Sequence, residues 1–375
     1  MHPPNLRLLA PEQADTITDI SAGEITELEP IAKRFNLLML LYTQLQRHTR
    51  CGEGPAADFL SRYRSVYLMN AARSARQEVL GEKALSLLRE QGIPTCLIKG
   101  DKLAREIYGD PNSRTSSDID ILVRAGDITE ADRLLTASGY TRCETIPLRF
   151  WLTRLHHALY RGPGNDNYLE VHWNFSVPAF FRLRSDEIWN EITRDESGRL
   201  VLSPEMTVIH MLIHHYMHVF RDLKILVDVF WTLSRYDKEI DWEKMAGLLC
   251  EIGLMKTTLI TLSQMSALWP LQSSALNSCR MLKEAIGRRG IRASRMLITF
   301  FEMDVGRNPA GTGYQEQVVK RFALDRWTTI CLSFIRVLIP LPEAIKAFYG
   351  DDRNWMLPLN YMRFIFWRMK EWKRA

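Results

Sequence analysis

Two short apolar segments, each meeting charged residues at one end, constrain the fold of this chain most strongly. The first, residues 93–99, ends at a Lys-Gly turn, and the second, residues 118–123, opens with Asp-Ile-Asp. Successive side chains of an extended strand point to opposite faces, so Asp118 and Asp120 share one face and the apolar side chains share the other. Two neighbouring carboxylates are costly unless a cation lies between them. The second strand is therefore predicted to bind a divalent ion that carries a nucleotide's phosphates.

The segment between the two strands carries residues suited to phosphate. Gly100 lets a phosphate approach the backbone closely, and the helix predicted to follow it presents its free N–H groups and positive dipole end. Lys99 and Arg114 can supply positive charge, Arg114 in bidentate form. Ser116 and Ser117 can donate hydroxyl hydrogen bonds. The alternative is a solvated strand edge with two unrelated aspartates, which would be an expensive placement for an otherwise apolar strand.

A third carboxylate is expected if the site performs two-metal transfer chemistry, because one acid then bridges a metal and takes the proton of the attacking hydroxyl. Glu170 is the candidate. In the predicted strand 168–173 it alternates onto the same face as Tyr168 and His172. The alternative is a surface glutamate on a strand, and spacing alone does not decide between the two.

The fold predicted from these patterns is α+β, with a small mixed-sheet core over about residues 93–175 inside a largely helical chain. An apolar content of 46% and a charged content of 25% are ordinary for a folded protein. We divide the chain into an N-terminal helical region, the α/β core, a C-terminal helical domain and an aromatic and basic segment, over residues 1–92, 93–178, 179–321 and 322–375. Residues 1–28 are predicted to be a loose lead-in with one short helix, and 155–161 to pair with 168–173. Helices are predicted over residues 29–48, 56–92, 101–108, 128–138, 205–220, 223–235, 242–252, 255–267, 276–286 and 291–302.

Three motifs together resemble a known superfamily. They are Ile98-Lys-Gly100, the run from Arg114 through Asp118-Ile-Asp120 to Val123, and Glu170-Val-His172-Trp173. The run of motifs is similar to the nucleotidyltransferases of the DNA polymerase beta superfamily, and most of all to a bacterial branch of largely uncharacterised members with helical segments on both sides of the core. The likeness is tight over residues 93–123, fair over 155–174, and loose over 29–92 and 204–233.

The resemblance implies an activity and a set of site residues. In the superfamily, the Asp-x-Asp pair and the third acid bind two Mg²⁺ (or Mn²⁺) ions, and an acceptor hydroxyl attacks the α-phosphate of a nucleoside triphosphate with release of pyrophosphate. Carried over by position, the metal ligands are Asp118, Asp120 and Glu170, and ATP is the expected triphosphate. Many members have Gly-Ser at the turn, whereas this chain has Lys99-Gly100-Asp101, so Lys99 is the candidate substitute as a phosphate contact. The expected nucleotide contacts are Lys99, Gly100, Arg114, Ser116, Ser117 and His172.

A second conspicuous set of residues is a histidine stripe, His210, His214 and His218, spaced i, i+4, i+8 along one predicted helix. Core or substrate-lining histidines are the first interpretation, and the looser likeness over this helix suggests that it leans over the nucleotide site. The alternative is a zinc-dependent hydrolase using His214 and His218, although no adjacent glutamate completes a protease-like motif. A further alternative is a non-catalytic nucleotide-fold module that binds a partner.

The C-terminal segment 354–375 combines aromatic residues with basic ends. This composition suits an amphipathic helix at a membrane surface or in the groove of a partner, and packing against the helical domain is the other interpretation. The possible anchors are Trp355, Phe364, Phe366, Trp367 and Trp372.

Charge and cysteine usage bound the partners and the compartment. A net charge of +5 on 375 residues is mild and argues against long nucleic acid as a partner. The acceptor is then a small molecule, a peptide or a protein, and no motif identifies which. Because the cysteines are scattered and no signal peptide opens the chain, we expect a reduced, cytoplasmic protein.

Overall fold

The computed structural model is largely helical and contains a small mixed sheet, so the predicted α+β class is confirmed. The structure describes residues 5–11, 20–48, 54–144, 148, 151–164, 167–269, 275–289, 295–303, 305, 314–338, 342–350 and 353–374.

The N-terminal region differs from its prediction in two places. The single helix over 29–48 is wrong, because the chain forms α1 (Ala22–Arg34) and α2 (Leu38–His48) with Asn36 at a positive φ of 55° between them. A capping box of Ser21 and Glu24 starts α1 seven residues earlier than expected. The long helix is present as α3 (Pro55–Glu90).

The predicted loose lead-in is also wrong in its described part. Leu6, Leu8 and Leu9 are buried. The indole N–H of Trp231 donates to the Leu9 carbonyl at 2.9 Å, and that of Trp269 donates to the Leu6 carbonyl at 3.1 Å. The segment is therefore fastened to the C-terminal helices by contacts more than 200 residues distant in sequence, which local pattern cannot reveal.

The core sheet has the strand order β1-β2-β5-β4-β3, with β2 and β5 parallel and the other neighbours antiparallel. Its apolar face, which includes Ile119, Ile121 and Val171, packs on α3 and α5. At Gly81 a Cβ atom would lie 3.3 Å from the Ile119 side chain, so the glycine lets α3 approach the sheet closely. The opposite face is left for polar side chains. The elements of the core are β1 (Cys96–Leu97), α4 (Asp101–Tyr108), β2 (Asp118–Leu122), α5 (Ile128–Ala137), β3 (Thr141–Arg142), α6 (Trp151–Arg154), β4 (His157–Arg161) and β5 (Tyr168–His172).

The remainder is helical apart from one hairpin of β6 and β7 that was not predicted. The helix predicted over 205–220 ends at Met217, because Val219 and Phe220 adopt positive φ values of 60° and 57°. Within the described residues, no helix has the length and apolar character needed to cross a bilayer. The elements are α7 (Ser185–Asn190), β6 (Ile192–Arg194), β7 (Leu200–Leu202), α8 (Pro204–Met217), α9 (Leu223–Arg235), α10 (Trp242–Ile252), α11 (Met255–Leu268), α12 (Ala275–Arg288), α13 (Arg295–Phe300), α14 (Tyr314–Val319), α15 (Trp327–Leu338), α16 (Pro342–Tyr349) and α17 (Leu357–Arg374).

The aromatic residues of the C-terminal segment divide into two groups. Phe364 is buried and contacts Phe348 edge to face, as expected if this part of the segment packs against the rest of the chain. Trp355 and Phe366 remain 72% and 69% exposed, as an interface would require. The side chain of Trp372 lies outside the described part of the chain.

Candidate functional site

The acids predicted from sequence lie on one face of neighbouring strands. In the parallel pair β2–β5, Asp120 is opposite Glu170, and Asp118 precedes this pair by two residues. His172 lies two residues beyond Glu170 on the same face. Side chains alternate between the two faces of a strand, and the neighbours of these polar residues fill the apolar core on the other face, so the polar side chains share this face.

Asp120 is the centre of a buried charge cluster. Its Oδ1 accepts hydrogen bonds from Lys99 Nζ at 3.1 Å and from His172 Nε2 at 3.0 Å, and that Nε2 also lies 3.1 Å from Glu170 Oε2. Burial opposes the charge of Asp120, but the Lys99 ammonium and the His172 hydrogen bond hold its pKa well below the usual range. Burial likewise opposes a charged His172, and its carboxylate partners overcome this and raise its pKa. Lys99 therefore neutralises a carboxylate in this conformation.

Asp118 is held separately by Ser116. The Ser116 hydroxyl lies 3.2 Å from Asp118 Oδ1 and 3.1 Å from its carbonyl oxygen. Burial raises the pKa of Asp118, and the negative charges of Asp120 and Glu170 raise it further. This crowding of carboxylates favours a bound cation. Ser117 is exposed and lines a cavity beside these acids.

Arg114 lies in a buried ion pair that sequence reasoning missed. Its Nε donates to Asp228 Oδ2 at 3.1 Å, and the Tyr108 hydroxyl donates to Asp228 Oδ1 at 2.5 Å. Asp228 is fully buried on α9. The arrangement connects the loop before β2 to α4 and α9. The one feature of the sequence that could have indicated this ion pair is an aspartate within an otherwise apolar helix.

The turn at Gly100 opens into a pocket of about 70 Å³. Gly100 has a φ of 73°, and a Cβ atom there would meet no atom within 4 Å, so the space above the turn is clear. The pocket reaches Asp118 and Asp120 at one end. Its cationic side chains are Lys99, Lys102, Arg105 and Arg199, the last on the unpredicted hairpin connection.

A larger cavity of about 620 Å³ is also lined by Asp118 and Asp120. Arg73 of α3 and Lys224 of α9 contribute positive charge, and neither was singled out from sequence, because a lone basic residue on a helix carries no signal. Burial, reinforced by neighbouring histidines, lowers the pKa of His156 to about 2 and that of His157 to about 4, so these imidazoles are neutral. Six of the nine histidines of the chain line this cavity: His156, His157, His172, His210, His214 and His218.

Two overlapping groups could hold a metal ion among the described residues. The ligand atoms of Asp120, Glu170 and His172 all lie within 4.8 Å of one another, and so do those of His156, His157 and His172. The first group supplies carboxylate oxygens, which fit a hard divalent cation. Neither group includes Asp118 or a member of the predicted histidine stripe, of which His210 and His214 lie on α8 and His218 directly follows it.

Comparison with known proteins identifies the family. A family model described as "Uncharacterised nucleotidyltransferase" matches residues 21–270, two thirds of the chain. No curated protein matches the chain. Among solved structures, the antibiotic-resistance factor ANT(2'')-Ia is 15% identical at a TM-score of 0.33, with 47% of this chain and 91% of that chain covered. The structural likeness is too weak to add to the family match. The chain belongs to this family of uncharacterised nucleotidyltransferases, as its three sequence motifs indicated.

Proposed function

We propose that this nucleotidyltransferase moves a nucleoside monophosphate from a nucleoside triphosphate, with ATP as the expected donor, to a hydroxyl or phosphate group of a small molecule, peptide or protein. The observation that supports this proposal most is the register of β2 and β5. It pairs Asp120 with Glu170 beside Asp118, and both aspartates lie on the walls of two separate pockets. A donor in one pocket and an acceptor in the other could thus reach the same two carboxylates.

Asp118, Asp120 and Glu170 would hold Mg²⁺ or Mn²⁺. The fit rests on the chemistry of the donors, since three carboxylates crowd one face and the like charges already raise the pKa of Asp118. When bound, the metal would supply Lewis-acid stabilisation of charge on the transferring phosphoryl group. Lys99 and His172 now offset part of this negative charge through Asp120.

The smaller pocket suits the triphosphate. The first backbone N–H groups of α4 follow Gly100, and Lys102 and Arg105 of the same helix face the pocket. Arg199 approaches from the hairpin. Lys99 lies between the acids and this pocket, where an ammonium can contact phosphate in place of the serine common in the superfamily.

The larger cavity suits the acceptor. The acceptor oxygen would attack the α-phosphorus, forming one P–O bond while the P–O bond to pyrophosphate breaks. Glu170, which lines this cavity, would take the proton of an acceptor hydroxyl. Its hydrogen bond with His172 Nε2 orients the carboxylate for that task.

The test measures nucleotide binding and pyrophosphate release with ATP, Mg²⁺ and a metabolite and peptide extract as the acceptor source. The wild type and Asp186→Asn, an exposed control on α7, should both bind ATP and release pyrophosphate. Asp120→Asn should lose pyrophosphate release while keeping its fold, as judged by circular dichroism. Mass spectrometry of the products then identifies the acceptor. Equal release by Asp120→Asn and the wild type would refute the proposal, and ATP binding without turnover by the wild type would favour a binding module.

A further inference from the structure

Three histidines form a compact group at the edge of the acid cluster. His157 on β4 is directly opposite His172 on β5, and His156 precedes β4. His156 Nε2 and His157 Nδ1 are 3.0 Å apart, and the ligand atoms of the three rings all lie within 4.8 Å of one another. All three side chains line the larger cavity, and His156 and His157 are partly exposed there, so an ion can approach the group from that side.

The hydrogen bonding of His172 is the second observation. Its Nε2 is bound by Asp120 and Glu170, whereas its Nδ1 is buried and has no hydrogen-bond partner. A histidine that binds a metal almost always gives its other ring N–H to a carboxylate, which fixes the tautomer and leaves the remaining lone pair for the ion. His172 has this division between a carboxylate-bound nitrogen and an unpartnered nitrogen, in a side chain only 3% exposed.

A hydrogen bond between the two adjacent histidines is the simpler explanation of their contact. It accounts for one nitrogen of His156 and one of His157. It leaves the buried Nδ1 of His172 without a hydrogen-bond partner. A ligand that accepts electron pairs from all three rings accounts for both features.

We propose that His156, His157 and His172 bind a divalent transition-metal ion, of which Zn²⁺ is the best fit. Zinc–imidazole bonds of about 2.0–2.1 Å place tetrahedral ligand nitrogens roughly 3.4 Å apart, within the spacing of this group. Imidazole ligands suit zinc and its neighbours, whereas Mg²⁺ and Ca²⁺ take oxygen. A fourth ligand would be water or an acceptor oxygen, supplied from the cavity that the three side chains line. His172 connects this site to the carboxylates of the proposed function through its Nε2, and binding of the ion by the three imidazoles does not require nucleotidyl transfer.

The test titrates Co²⁺ into metal-free full-length protein in excess Mg²⁺ and without nucleotide. We expect one Co²⁺ to bind per chain, with the visible absorption of a four-coordinate ion bound by nitrogen ligands. One equivalent of Zn²⁺ should displace this Co²⁺. His157→Ala should weaken binding by about tenfold or more. His218→Ala is the matched control, since it lines the same cavity but belongs to neither metal-compatible group, and it should leave the affinity unchanged.

X-ray absorption spectroscopy of the zinc-loaded wild type identifies the ligands without any variant. The proposal can therefore be tested even if a substituted protein fails to fold. Three imidazoles in the zinc shell would support the proposal. One imidazole with two carboxylates would place the ion on Asp120, Glu170 and His172 and overturn it. Displacement of Co²⁺ by Mg²⁺, or loss of binding in His218→Ala but not in His157→Ala, would overturn it as well.

Discussion

Replacing Arg114 by methionine separates two roles for this residue. The motif suggests a phosphate contact, whereas the structure pairs Arg114 Nε with Asp228 at 3.1 Å in a buried network. Burial opposes the charge of Arg114, yet Asp228 raises its pKa above the ordinary value, so the guanidinium is a permanent cation. Arg114→Met leaves the carboxylate of Asp228 fully buried with the Tyr108 hydroxyl as its remaining hydrogen-bond partner.

The magnitude follows from this burial. Removing one partner of a buried ion pair costs about 3–5 kcal/mol, because the other charge is left uncompensated. Removing both, in Arg114→Met with Asp228→Leu, takes away the stranded charge and leaves mainly the Tyr108 hydroxyl unsatisfied, at a cost of about 1–3 kcal/mol. The double variant should therefore be more stable than Arg114→Met alone.

Urea unfolding followed by circular dichroism measures these differences. Arg105→Met is the control, because Arg105 pairs with Glu78 at 3.4 Å with both side chains more than half exposed, and its loss should cost less than about 1 kcal/mol. An unchanged free energy of unfolding for Arg114→Met, together with a raised KM for the nucleotide, would refute the reasoning and return Arg114 to a direct phosphate contact.

Three other perturbations have expected outcomes. Burial lowers the pKa of Lys224 to about 8 from its ordinary 10.5, so between these pH values the unfolded chain binds one more proton than the folded chain. From pH 8 to 10.5 the free energy of unfolding of the wild type should therefore rise by up to about 3 kcal/mol relative to that of Lys224→Met. A difference between the two proteins that does not change with pH in urea unfolding would contradict this. Gly81→Val should lower the free energy of unfolding by about 1–3 kcal/mol in thermal unfolding, because the new side chain meets Ile119. The control Gly287→Val, in open space on α12, should change it by less than about 0.5 kcal/mol. Equal effects of the two substitutions would show that α3 can move away from the sheet. Gly100→Ala should cost about 1–3 kcal/mol through its φ of 73° alone, since its Cβ meets nothing, and an unchanged melting temperature would argue against a strained turn.

Local pattern alone predicted much of the core. The alternation of Asp118 and Asp120 with apolar neighbours indicated a strand with one polar face, and the same period put Glu170 and His172 together. Such predictions succeed because side-chain direction in a strand depends only on position along the chain. The assignment of these residues to metal and nucleotide stays a prediction.

The tertiary structure decided which distant residues meet. Only the register of β4 against β5 brings His157 to His172, and only the packing of α9 buries Asp228 against Arg114. The break at Asn36 likewise depends on packing, since the flanking apolar positions continue a helical period. Sequence determined the chemistry that each strand could present on its polar face. Long-range pairing and burial determined which of those groups share one site, because these depend on contacts between residues far apart in the chain.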